Sequence, residues 1–154
     1  MHASFSSVRE RFVQQTLQQV RILHVAFVMT WFLFILLLKF VQAPFGTNVP
    51  EFFPLALGFV CVSEVGLALF FRTRLIAASE AVLRSDPDNK AALAKWRTGN
   101  LLSFCFAETI TLFGLMLKLL GFGWKVAGVF FAGGLILLLL WAPRKIQSMP
   151  RGVR

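Results

Sequence analysis

The chain contains no tyrosine and only two cysteines, two histidines and seven acidic residues among its 154. Each shortage excludes something. Cys61 and Cys105 both fall inside long apolar runs, so a disulfide framework is ruled out. With so few histidines there is no His-Glu zinc helix, and no P-loop, dinucleotide glycine motif or nucleophile elbow appears either. The first 20 residues are mostly polar and the first apolar run is too long for the core of a cleavable signal. The first helix is therefore expected to be retained as an anchor.

What is present is apolar length. Hydrophobic residues make up 57 % of the chain, 18 of them phenylalanine, and mean hydropathy is +0.72. Residues 22–41, 52–71, 101–120 and 126–142 form four apolar segments. About 20 helical residues cross the roughly 30 Å hydrocarbon core of a bilayer. The fourth segment is short, and Trp124 and Lys125 would extend it. These runs predict an all-α membrane protein, one domain over residues 1–154 with four transmembrane helices. Eighteen phenylalanines and no tyrosine suit a chain that faces lipid.

Sixteen Lys and Arg face seven acids, a balance that would also suit nucleic acid, but their location argues for topology. Only Lys39, Lys118 and Lys125 lie outside the segment before the first helix, the 73–99 connector with its flanks, and the tail after the fourth helix. Basic residues gather on the cytoplasmic side of a membrane. Both termini and the connector are thus expected in the cytoplasm, with the chain in a bacterial inner membrane and anionic lipid headgroups as neighbours.

Phe5, Val8, Phe12, Val13, Leu17 and Val20 recur at helical spacing, opposite Gln14, Gln15, Gln18 and Gln19. Ser7 with Glu10 fits a capping box. This predicts an amphipathic helix at the membrane surface or a lead-in to helix 1. Helix 1 is expected to end near Gln42. Helix 2 is expected to run on through Leu83, to break at 85–88, and to be answered by a helix from Asn89 capped by Asp88. Residues 73–99 would then form a cytoplasmic hairpin. Gly121 and Gly123 supply a sharp turn before helix 4.

Residues 21–40 can be set against 100–119. Leu23/Leu102, Phe27/Phe106, Thr30/Thr109, Leu33/Leu112, Phe34/Phe113, Leu36/Leu115, Leu38/Leu117 and Lys39/Lys118 coincide. A duplicated helical hairpin with parallel halves fits this pattern. Met29 stands where the second half has Glu108.

Two carboxylates interrupt the apolar runs. Glu108 lies near the middle of 101–120 and Glu64 at a similar place in 52–71. An acid at such depth costs about 2.5–3.5 kcal/mol on insertion scales. Both are expected about 4 Å to the cytoplasmic side of the midplane at 1.5 Å per residue. If they face each other, one proton can be shared between them. Otherwise each would donate to a nearby oxygen, with Ser63, Thr109 and Thr111 at hand. Cys61 and Cys105 each precede an acid by three residues, a spacing that could build a four-ligand metal site across antiparallel helices. His24, at the entry to helix 1, is read as a headgroup contact or a cofactor ligand. Gly128 and Ala132 form a small-xxx-small pattern, with Gly133 beside it, that would let another helix pack closely.

Residues 93–98 followed by 107–115 and the Arg21-Ile22-Leu23-His24 opening resemble a group of small, uncharacterised bacterial four-helix membrane proteins. That resemblance implies the architecture and no activity. Residues 107–115, Ala-Glu-Thr-Ile-Thr-Leu-Phe-Gly-Leu, also resemble the carboxylate helix of the proteolipid c subunit of rotary ATPases. It implies proton or cation binding at Glu108, with Thr109 and Thr111 as auxiliary oxygens. The Gly-rich inner helix of that family is missing and the inner connector is far longer. Two functions follow as expectations. The first is a non-enzymatic subunit or accessory protein of a larger membrane complex. The second is a proton- or cation-translocating element, alone or as a homo-oligomer, using Glu108 with Glu64. No cofactor is expected beyond bound lipid.

Overall fold

The computed structural model describes residues 3–40, 49–86 and 89–143, with side chains from residue 14 onward. Among the described residues the regular structure is helical throughout, with no strand. Helix α1 (Ala3–Phe40) runs unbroken for 38 residues. Helix α2 (Phe53–Phe71) passes through a π-helical segment, Arg72–Ala77, into α3 (Ala78–Ser85), giving one continuous rod. Helix α4 (Lys90–Leu119) and α5 (Trp124–Leu140) complete four rods. The amphipathic lead-in is thus the start of α1 itself. Ser7 lies inside that helix and cannot cap it.

Local chemistry sets the helix ends. Pro54 opens α2, where its missing N–H would have had no partner. The α4 cap is Asn89, whose side chain accepts from the Ala92 N–H at 2.9 Å. The expected cap, Asp88, lies outside the described residues. The α4–α5 turn follows the glycine signal. Gly121 takes φ 91°, its N–H reaches the Lys118 carbonyl, and the Phe122 N–H reaches the Leu117 carbonyl. This double bond pattern closes the end of α4 only because glycine tolerates the left-handed backbone.

Three rods are long and apolar enough to cross a membrane: α1 over Gln14–Phe40, the α2–α3 rod over Phe53–Ser85, and α4. Helix α5 has 17 residues, about 25 Å at 1.5 Å per residue, and falls short of that length.

Helix α4 is the hub, packed against α1, α2, the π segment, α3 and α5, most extensively against α5. Small residues make this approach feasible. Gly99, Ser103, Ala107, Thr111 and Gly114 are all buried along α4. A Cβ on Gly114 would lie 3.0 Å from the Ala127 carbonyl and 3.1 Å from Phe130 and Phe131. One on Gly134 would strike the Thr111 hydroxyl and come within 2.9 Å of the Ala107 carbonyl. The two backbones therefore meet directly.

The buried apolar residues form two clusters along the bundle. One, at the connector end, joins Val20, Ala68, Ile76, Leu83, Leu93, Trp96, Phe104, Leu138 and Trp141. The other, at the far end, joins Leu38, Leu57, Ile110, Leu117, Phe130 and Phe131. The connector is a packed hairpin. Trp96 is 1 % exposed and its indole N–H donates to Glu80 at 3.3 Å across to α3.

Candidate functional site

Two side-chain bonds stitch α1 to α5. His24 Nε2 lies 2.9 Å from the Leu138 carbonyl, and Trp31 Nε1 donates to the Phe131 carbonyl at 2.9 Å. A carbonyl can only accept, so Nε2 carries the His24 proton. Leu138 sits in the last turn of α5, where carbonyls lack helical partners, and His24 supplies one. The stitches are seven residues apart on each helix, so α1 and α5 run antiparallel. The His24 and Phe27 rings also pack on Phe104 of α4, with centroids 5.1 Å and 5.9 Å away. Helix α4 reverses into α5 at the Gly121 turn, so α1 and α4 run parallel, with Phe104 level with His24 and Phe27.

Glu108 lies one turn beyond Phe104 on the same, α1-facing side of α4. The level of Phe104 and the two stitches put it between His24 and Trp31, at the junction of the two apolar clusters. It is 8 % exposed, and both carboxyl oxygens are buried with no hydrogen-bond partner among the described residues. Buried polar groups are paired in the great majority of cases, so an orphaned carboxyl sets Glu108 apart from the other buried polar groups of α4.

Glu64 occupies the inward stripe of α2 with Leu57, Cys61 and Ala68, half-buried, with one oxygen buried and unpartnered. The two acids do not bond to each other. Phe106 of α4 stacks on Phe71 of α2 at 6.3 Å, and Arg72 donates to Ser103 at 3.4 Å. Glu108 is two residues past Phe106, about 200° round the helix from the α2 side. The same register sets Glu64 about one turn, roughly 5 Å, farther from the connector end than Glu108. The expected common depth is therefore not found.

The hydroxyls expected to serve the acids are spent on their own helices. Ser63 donates to Phe59 at 3.0 Å, Thr109 to Cys105 at 2.9 Å and Thr111 to Ala107 at 3.3 Å. Each oxygen keeps lone pairs but offers the acids no proton. Cys61 and Cys105 are free thiols, half-buried and exposed respectively. Among the described residues no three of His, Cys, Asp and Glu gather as a metal set would require. His24, read from the sequence as a headgroup contact or a cofactor ligand, commits its Nε2 to the Leu138 carbonyl.

Gly128 has open space around it, Ala132 is exposed, and Gly133 approaches only Ile110, at 3.9 Å. These small residues lie on or near the outer surface of α5, while Gly134 makes the close contact within the chain. The Ser103–Ala107–Thr111 repeat, the His24 bond and the Trp31 bond were not singled out from sequence. A four-residue recurrence of small residues was the available signal for the first, and the two bonds carry no local pattern. No protein family, curated protein or solved structure compared with the chain matches it.

Proposed function

We propose that this protein is a non-enzymatic integral membrane subunit of a larger bacterial inner-membrane complex. Its four rods cross the bilayer, and the hairpin and both termini face the cytoplasm. The observation that carries the reading is the outward apolar surface. Phe32, Leu33, Leu36, Phe59, Val62, Val129 and Leu140 are all more than half exposed or at that limit, on three different helices. Patches of that extent need lipid or another protein. The open small-residue face of α5 at Gly128 and Ala132 suits a neighbouring helix, and the basic flanks of the hairpin suit anionic headgroups.

Crosslinking in native membranes tests the assignment. A defined partner should be captured, and Gly128→Leu with Ala132→Leu should weaken capture more than changes at Leu137 and Leu139. Recovery of the free monomer alone overturns the subunit reading. Cysteines placed at Ala81 and Glu51, both exposed, test topology. Outside labelling should reach position 51 and fail at 81.

A second reading rests on a specific observation, the two orphaned oxygens of Glu108. A carboxylate so placed would lack both water and partner, whereas the neutral acid costs far less. In this reading Glu108 holds a proton and reacts with a hydrophobic carbodiimide. Glu108→Gln, which keeps a donor and an acceptor, should fold normally and lose that reactivity. Absence of reaction at both Glu108 and Glu64 in the unaltered protein would count against it.

A further inference from the structure

We propose that Glu108 exchanges its proton only with the connector side of the bundle, through His24, and that its route to the opposite face is closed. The inference rests on the proton-binding reading of Glu108 and names the residue that serves it.

The packing on the connector side of Glu108 is apolar, with Phe27, Phe104, Ala107 and Leu138, and carries one imidazole, that of His24. Ser103 and Arg72 bond to each other on the α2 side of α4. Asn100 lies one turn beyond, buried, with its amide donating to the Trp96 carbonyl at 2.8 Å. The His24 side chain is half-buried. Its Nε2–H is committed to the Leu138 carbonyl, which leaves Nδ1 with a lone pair and no partner among the described residues. On the far side of Glu108 the seam is apolar, filled by Ile110, Leu117, Phe130, Phe131 and Leu38 and closed by the Trp31 bond.

Among the described residues no other titratable group offers this route. Between its ends at Arg21 and Lys39, α1 brings only His24 to the bundle. Helix α5 brings none past Lys125. Helix α2 brings Glu64, Cys61 and Arg72 to the other side of α4, and Cys105 on α4 itself is exposed. Phe104, fully buried, packs on His24 and lies one turn from Glu108 along α4, so transfer waits on movement of that ring. Glu108 then gives its proton to Nδ1 and takes another back. The net change is exchange with water, with no charge left in the bundle.

Infrared spectroscopy of the full chain in lipid nanodiscs tests this. The protonated-carboxyl band of Glu108, assigned by subtraction of Glu108→Gln, is followed after transfer to heavy water. His24→Gln should slow the exchange on the order of a hundredfold, the low end of what a positioned proton donor contributes. Trp31→Phe removes an equivalent bond on the far side and should leave the rate unchanged. A merely structural His24 would predict the reverse sign, since loosening α1 speeds exchange. Ethoxyformylation of the His24 imidazole in a His2→Gln background gives the same readout without a substitution at position 24, and hydroxylamine, which removes the acyl group, should restore the rate. Exchange as fast or faster without a functional imidazole overturns the relay while leaving Glu108 as a proton site. Absence of any Glu108 band removes both.

Discussion

Helices α1 and α4 are both long and apolar and run in the same direction, yet their most apolar stretches differ sharply in burial. Half of that stretch in α4 is buried against neighbours, against 6 % in α1. Residue size explains it. Helix α4 turns Gly99, Ser103, Ala107, Thr111 and Gly114 inward, and three other rods approach its backbone. Helix α1 carries Phe32, Leu33, Leu36 and Phe40 outward and touches the bundle through a narrow line at Val20, His24, Phe27, Trp31 and Leu38. In an apolar environment, burial follows close packing more than hydrophobicity.

The comparison is most exposed to disproof at the hub. Trp96 is almost fully buried where α4 meets α3, and its indole is bonded to Glu80. Trp96→Ala should destabilise the protein by about 3–5 kcal/mol, the usual range for a buried aromatic. Reversible unfolding in mixed micelles measures it. A loss below about 1 kcal/mol, the worth of a single hydrogen bond, would mean that the hairpin adds little to the hub.

Next comes the α4–α5 contact, where two glycines of one helix face different surroundings. Gly134→Val forces a side chain against the Thr111 hydroxyl and the Ala107 carbonyl, and a backbone atom cannot step aside. About 1–3 kcal/mol should be lost, as overpacking typically costs. Gly128→Val points into open space and should stay within about 0.5 kcal/mol in detergent. Similar losses at both positions would erase the distinction between the inner and outer faces of α5.

Much of this was legible in the sequence. Length and hydropathy marked the rods, Ser85-Asp86 marked the hairpin turn, and Gly121 marked the reversal, because each is a local backbone preference. The facing of the rods was not local. Glu64 and Glu108 sit at similar places in their runs, and only the contacts of Phe106 with Phe71 and of Phe104 with α1 reveal that they point to different sides. His24 looked like an interfacial residue because its partner is a carbonyl 114 positions away. A backbone acceptor leaves no mark in the side-chain sequence.

The stitches themselves come third. Trp31→Phe keeps the ring against Phe131, at 6.5 Å between centroids, and removes only the indole donor. A loss of about 0.5–1.5 kcal/mol is expected, the net worth of one hydrogen bond. If α1 instead detaches, seen as new protease sensitivity near its polar end, its narrow line of contact depends on these bonds far more than on packing.

The smallest effect is expected on the outer face of α1, and its smallness is informative. Leu33 is 56 % exposed and Met29 61 % exposed. Truncating Leu33 to alanine removes surface that faces no other part of this chain. In a bilayer the lost contacts are with lipid tails, which are as apolar as leucine and refill the space. The isolated protein should therefore keep its stability within about 0.5 kcal/mol. The same substitution in native membranes has a different meaning. If another subunit covers this face, Leu33→Ala leaves a gap in a protein–protein contact and the complex should loosen even though the isolated protein does not. Comparing unfolding in micelles with crosslinking in membranes separates the two environments. No change in either assigns the outer face of α1 to lipid and confines the partner contact to α5 and the hairpin. A loss only in membranes moves the joint to α1. Loss of stability in micelles would mean that α1 is held by more than its inner line, and the contrast with α4 would fail.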